Sequence, residues 1–263
     1  MSEFVVIVES RADAETATKL AERVLLEKIE WLDCEQLQYH FQWSGLEVNT
    51  DYSCWTDIRH IAERAKELGH SVPKFLGHSK TGALKADGAA TLKALNLVSY
   101  LQRKRLIKAV IFIRDLDDQP DRKEGMNQAR LEYINRRSKL EIDSHSNLEI
   151  IIGTADRMRE SWVLNGFIPL NTTEEQILQE IKAGLNFDPC KDAQKLRSNL
   201  FEYPDRERNP KVVVKSLTDD NRLREQQCWE ETPLELLRQR GENTGLTDYL
   251  NEIEERLAPI IIE

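Results

Sequence analysis

The stretch from residue 109 to residue 121, AVIFIRDLDDQPD, constrains this chain more than any other. Its unbroken apolar run, Ala109 to Ile113, predicts a strand buried on both faces of a parallel sheet, because a half-solvated strand would alternate. Four acids follow: Asp115, Asp117, Asp118 and Asp121. The first three fall at the C-terminal mouth of the strand, where open α/β sheets place their ligand sites. Carboxylates this close repel one another, and a hard divalent cation with oxygen ligands relieves the repulsion.

A second acid stands in the same local setting. Phe4 to Val8 is another buried-strand run, and Glu9 ends it. Ser10 to Asp13 then opens a helix whose apolar positions Ala17, Leu20, Val24 and Leu25 recur at helical spacing. If the two strands lie parallel and adjacent, Glu9, Asp115 and Asp117 share one mouth of the sheet. Further on, Leu148 to Ile152 predicts another core strand, followed by Arg159-Glu160-Ser161-Trp162 on a helix, and Asn209-Pro210-Lys211 precedes a last helical region.

This order of motifs resembles the TOPRIM domain of topoisomerases, bacterial primases and OLD-type nucleases: strand-Glu, strand-Asp-x-Asp, then a strand and a helix bearing Glu-x-Trp. Over residues 4 to 216 the chain is similar to a family of small stand-alone bacterial TOPRIM-like proteins, often found near defence and mobile-element genes. The resemblance implies a Rossmann-like α/β core with a mostly parallel sheet flanked by helices and helical elaborations. It also implies Mg²⁺ or Mn²⁺ held by Asp115 and Asp117, with Glu9 as a further ligand or general acid/base and Glu160 as an additional ligand. Lys211 would be the cation that reaches a scissile phosphate as a point charge.

Each of these residues has a plainer reading. Glu160 could pair with Arg157 on an exposed face, or share a helical face with Asp156 and widen the acidic pocket. Asp121 could serve only as a helix cap, and Lys211 could be an ordinary surface lysine. The loop from Gly77 to Lys85 mixes glycines, hydroxyls and lysines in a way that suits phosphate oxygens. It is not a Walker A loop, since Ala83-Leu84 follows Gly82 where Lys and then Ser or Thr are required. A haloacid-dehalogenase pattern fails at Gln119, and there is no GxSxG.

Remaining elements follow from periodicity. Gln36 to Trp43 predicts a half-buried strand, residues 51 to 68 a helix ended by Gly69, and Ser71 to Leu76 a short extended piece. Helices are expected at Ala89 to Leu106, Asp121 to Arg137, from Thr172 to the break at Phe187, and at Glu231 to Arg240 and Leu246 to Leu257. Val212 to Val214 fits either a strand or the first turn of a helix. Residues 43 to 90 read as an insertion in a core spanning 1 to 216, with 217 to 263 as a helical C-terminal segment.

The net charge of −9 is unevenly spread. Residues 225 to 263 hold ten acids and three basic residues, a net of −7, so residues 1 to 224 carry only −2. The acidic segment could pack on the core or dock a protein partner. The body retains basic stretches at Arg103 to Arg105, Arg136 to Lys139 and Lys191 to Arg197 that suit phosphates. No run approaches the ~18 apolar residues of a membrane span. The start lacks signal-peptide zones, and the four scattered cysteines suit reduced thiols, so a cytoplasmic setting is expected. Together these features predict a metal-dependent nuclease or phosphodiester hydrolase acting on DNA or RNA, and the family resemblance implies a role as an effector in bacterial defence. The alternative is a partner-dependent subunit without activity of its own.

Overall fold

The computed structural model describes residues 1–67, 78–79, 82–139, 148–197 and 205–262. In chain order its first half comprises β1 (Ser2–Val8), α1 (Arg11–Lys28), α2 (Leu37–His40), β2 (Phe41–Ser44), β3 (Ser53–Cys54), α3 (Asp57–Glu67), β4 (His78–Ser79), β5 (Gly82–Ala83) and α4 (Gly88–Leu101). Then come β6 (Ile107–Asp115), α5 (Asp121–Lys139), β7 (Glu149–Ala155), α6 (Glu160–Gly166), α7 (Thr172–Leu185), α8 (Pro210–Thr218) and α9 (Arg222–Glu230). The chain closes with α10 (Leu234–Gly241), α11 (Leu246–Glu252), a π-helical turn over Ile253–Leu257, and α12 (Ala258–Ile262).

The main sheet runs β2-β1-β6-β7 with every pairing parallel, and β3 extends the β2 edge by pairing with Ile7 and Val8. This is the α/β architecture with a mostly parallel sheet flanked by helices that the unbroken apolar runs predict. Alternation along the strands splits the core in two. Phe4, Val6, Val8, Ala109, Ile111 and Ile113 face α1, α6 and the C-terminal helices. Val5, Ile7, Val110 and Phe112 face α3, α4 and α5. Both faces are covered by helices, which is why neither strand alternates in sequence.

Local chemistry moves several boundaries. Gln36 to His40 is not extended: Asp33 Oδ1 accepts the amides of Glu35 and Gln36 and turns the chain into α2. Extension begins only at Phe41, whose ring stacks on Phe4 with centroids 4.4 Å apart. The helix expected over 51 to 68 begins at Asp57, because Ser53 and Cys54 join the sheet and Asp57 accepts the Cys54 amide. Trp55 is therefore not on that helix, and its Nε1 donates to Ile113 O at 2.8 Å. Within the 43 to 90 segment, the end of β2 and all of β3 thus belong to the main sheet. The helix before β6 stops at Leu101, five residues short of Leu106. Val212 to Val214 are helical, in α8, where Pro210 takes the first turn and Asn209 caps it. The extended piece at Ser71 to Leu76 lies outside the described residues, as do Gly77, Lys80 and Thr81 of the phosphate-loop candidate.

The C-terminal segment packs on the body. Tyr249, Leu250, Ile253 and Leu257 have no exposed surface, and α11 lies against β7. The Tyr249 ring stacks on Trp162 (5.2 Å, 15°), and its hydroxyl donates to Ala17 O at 2.8 Å. Tyr249→Phe is expected to cost about 1 kcal/mol by removing that buried hydrogen bond, as urea unfolding would measure. Among the described residues, no helix is long and apolar enough to cross a membrane.

Candidate functional site

Parallel pairing carries the ends of β1, β3 and β6 to one edge of the sheet. Asp115 continues the side of β6 that bears Ala109, Ile111 and Ile113, so its carboxylate turns toward α1 and α6. There Asp115 Oδ1 accepts the Arg159 amide at 2.8 Å, while the Asp115 amide donates to Glu9 Oε1 at 3.2 Å. Asp13 and Glu160 stand close enough to act on the same carboxyl. Burial first, and then the charges of Asp13, Glu9 and Glu160, lift Asp115 well above the ordinary carboxylate range. Glu9 is raised in the same way, by burial most of all and by Asp117 and Asp13, against the lowering pull of Arg114 and the Asp115 amide.

Guanidinium groups answer these acids. Arg159 is buried, and it meets Glu225 at 2.6 Å, Glu160 at 3.4 Å and Asp13 at 3.7 Å, with the Trp229 ring 5.7 Å away. Burial pulls its pKa down, but Glu160, Glu225 and Asp13 outweigh that and raise it. Arg114 bridges Glu9 (2.8 Å) and Asp87 (2.7 Å) and lies 5.4 Å from the Trp55 ring centre. Arg122 holds Asp117 Oδ2 at 3.0 Å and Asp115 O at 2.7 Å. Arg157 pairs with Asp118.

The turn after β6 aims these acids apart. Asp117 and Asp118 both take positive φ (45° and 63°), a conformation Asp tolerates better than bulky residues do. The Leu116 amide on Ala155 O and the Asp117 amide on Arg157 O pin the turn to the end of β7. Asp115 therefore faces α1 and α6, whereas Asp117 faces Arg122 on α5.

Glu9 thus meets Asp115 through the Asp115 amide, and Glu160, paired with Arg159, lies within electrostatic reach of it, while Asp117 turns away to Arg122. Lys211 does not join them: it is exposed on α8, and among the described residues it makes no hydrogen bond or ion pair with these carboxylates. Asp156 and Glu160 do not share a helical face, because Asp156 follows β7 with its amide on Thr244 O and α6 begins only at Glu160. Nor does Glu160 pair with Arg157, which goes to Asp118. Asp121 is an exposed residue at the start of α5 that meets Lys85 at 3.1 Å.

Sequence reasoning missed Asp13, Arg114, Arg122, Arg159 and Glu225 as members of this cluster. The signal for Asp13 was Ser10-x-x-Asp13, which is a capping box, and Asp13 Oδ2 does accept both the Ser10 amide and hydroxyl. Of the basic stretches, Arg105 pairs with Glu3 at the opposite edge of the sheet. Lys191, Lys195 and Arg197 are exposed; Lys195 pairs with Asp192, and of the three it is the Arg197 charge that acts on Asp156 and Arg157, whose Nε donates to Gln194 O.

Among the described residues, no three His, Cys, Asp or Glu side chains converge as a ready-made metal-holding group. The donors nevertheless suit a hard divalent cation. Glu9, Asp13, Asp115 and Glu160 offer carboxylate oxygens alone, and although burial is the largest cause of the Asp115 rise, the charges of Asp13, Glu9 and Glu160 add to it. Comparison of the chain with protein-family models, curated proteins and solved structures finds no match.

Proposed function

We propose that the protein is a divalent-cation-dependent phosphodiester hydrolase, with DNA or RNA as its substrate class and Asp115 at the centre of its site. The observation that carries this reading is the position of the Asp115 carboxylate at the mouth of a parallel sheet beside Glu9, where burial first and then Asp13, Glu9 and Glu160 raise it. In this reading Asp115 and Glu9 hold Mg²⁺ or Mn²⁺, with Glu160 and Asp117 flanking. A bound cation supplies stabilisation of charge on the phosphoryl oxygens and lowers the pKa of water. Glu9, whose carboxyl burial raises above the ordinary carboxylate range, would serve as the general base toward a water. Arg159 keeps Glu160 and Asp13 in place without competing for Asp115, which it touches through its backbone amide. Arg197, exposed and near Asp156 and Arg157, draws the polyanion toward the mouth. A role in bacterial defence rests on the family resemblance alone.

The experiment is cleavage of mixed DNA and RNA substrates with Mg²⁺, with Mn²⁺ and with EDTA, wild type beside Asp115→Asn/Asp117→Asn. Metal-dependent cleavage lost in the double variant is the expected result. The competing reading, a partner-dependent subunit, draws support from the arginine pairing, since acids already neutralised by guanidinium groups need no metal. Cleavage absent under every condition would favour it, whereas cleavage that survives the double variant would place the chemistry away from Asp115 and Asp117.

A further inference from the structure

The free edge of the main sheet lies at β2, the last strand on its side, so the outward row of its amides and carbonyls meets no further strand. The Phe41 amide donates to Leu37 O rather than to β1, so Phe41 faces outward, and by the alternation of a parallel ladder so does the backbone of Trp43. Such edges invite strand addition and are commonly guarded by lysines. Here no lysine or arginine stands between Lys28 and Arg59, a stretch with six acids and therefore a net charge of −6. Three of those acids are committed: Asp33 to the amides of Glu35 and Gln36, Glu47 to Arg64, and Asp57 to the Cys54 amide. Glu30, Glu35 and Asp51 are exposed and make no ion pair with any described residue.

Beside β2 a groove of about 930 Å³ opens between α1 and α2. Leu37, Phe41, Trp43 and Tyr52 supply its apolar surface, and Glu22 fixes the Trp43 indole through Nε1 at 2.9 Å. Asp51 lines the groove, and Arg11, the one basic residue among the described lining, is tied to Glu15 at 2.8 Å. Trp31 (51% exposed), Tyr39 (75%) and Val48 (75%) stand out on the same acidic stretch.

We propose that the β2 edge and this groove dock an extended segment of a partner protein in which lysine or arginine alternates with apolar residues. The segment pairs with the outward groups of β2, places its apolar side chains in the groove and sets its cations against the unpaired acids. A second copy of this chain fits less well, because it would bring the same six acids against one another, and a nucleic acid is repelled by them. The assignment goes beyond the reaction at Asp115 and does not depend on it.

The test uses the full chain and three fluorescent hexapeptides: alternating Lys-Val, alternating Glu-Val, and alternating Lys-Pro, which keeps the charge but lacks the amides to pair as a strand. Expected is saturable binding of Lys-Val by anisotropy with slowed hydrogen exchange at the Trp43 amide, and affinity at least about tenfold weaker for Glu-Val and for Lys-Pro. Glu35→Lys/Asp51→Lys, at two exposed positions, should weaken Lys-Val binding by about tenfold. Equal binding of Lys-Val and Lys-Pro would overturn strand addition, and equal binding of Lys-Val and Glu-Val, or no change in the double variant, would overturn the charge match. No binding of Lys-Val would overturn the site itself. Dimer formation that slows exchange at Trp43 without peptide would do the same, since a second copy would then be the occupant.

Discussion

Asp115→Asn is expected to lower phosphodiester cleavage by at least about a hundredfold, which is about 2.7 kcal/mol of transition-state stabilisation, while leaving the protein more stable than wild type. The amide keeps an oxygen to accept the Arg159 amide, so the local geometry survives. It removes the charge that burial, Asp13, Glu9 and Glu160 all disfavour. A gain of about 1 kcal/mol is the usual size when a strained functional group is relieved. The sign with pH follows from the raised carboxyl. Folded Asp115 holds its proton more tightly than the unfolded chain does, so wild-type stability falls as pH climbs from about 4, the ordinary carboxylate value, through the raised one. The advantage of Asp115→Asn should therefore be smallest in acid, grow across that window and then level off. Urea unfolding at a series of pH values measures it, and a variant less stable than wild type at neutral pH would contradict the assigned field.

Arg159→Leu is expected to destabilise the fold by about 3 to 5 kcal/mol, the range for breaking a buried ion pair from one side. The leucine leaves Asp13, Glu160 and Glu225 without their shared cation at the junction of α1, α6 and α9. It also withdraws a donor from the buried Thr16 hydroxyl. Arg159→Leu/Glu225→Leu should recover part of the loss, because one of the stranded charges goes with it. A loss below about 1 kcal/mol in the single variant would show that these acids find other cations.

Much of this arrangement is legible in the sequence, for a physical reason. Phe4 to Val8 and Ala109 to Ile113 are buried on both faces, so they lack alternation, and the acid that ends each run stands out. The same feature brings Glu9 and Asp115 together, since parallel neighbours end on the same edge. Strands as short as β2 and β3 leave too little periodicity to fix their ends, which is why the alternation over Gln36 to Trp43 overshoots β2, and their places depend on Asp33 and Asp57 turning the chain. The counter-ions were hidden for another reason. Arg114 and Arg122 gain meaning only once the positive-φ turn at Asp117 and Asp118 aims neighbouring acids in different directions. Glu225 reaches Arg159 from the segment whose net charge suggested a partner surface. Lys211 entered through the family resemblance, and the packing of α8 offers it no contact with the carboxylates.

The most direct measurement is calorimetric titration of wild type and Asp115→Asn with Mn²⁺ at several pH values. Saturable binding by wild type is predicted, with affinity that strengthens as pH rises because the raised Asp115 carboxyl must lose its proton first, and with binding lost in Asp115→Asn. Binding of equal strength in both proteins, or in neither, would contradict a cation site centred on Asp115.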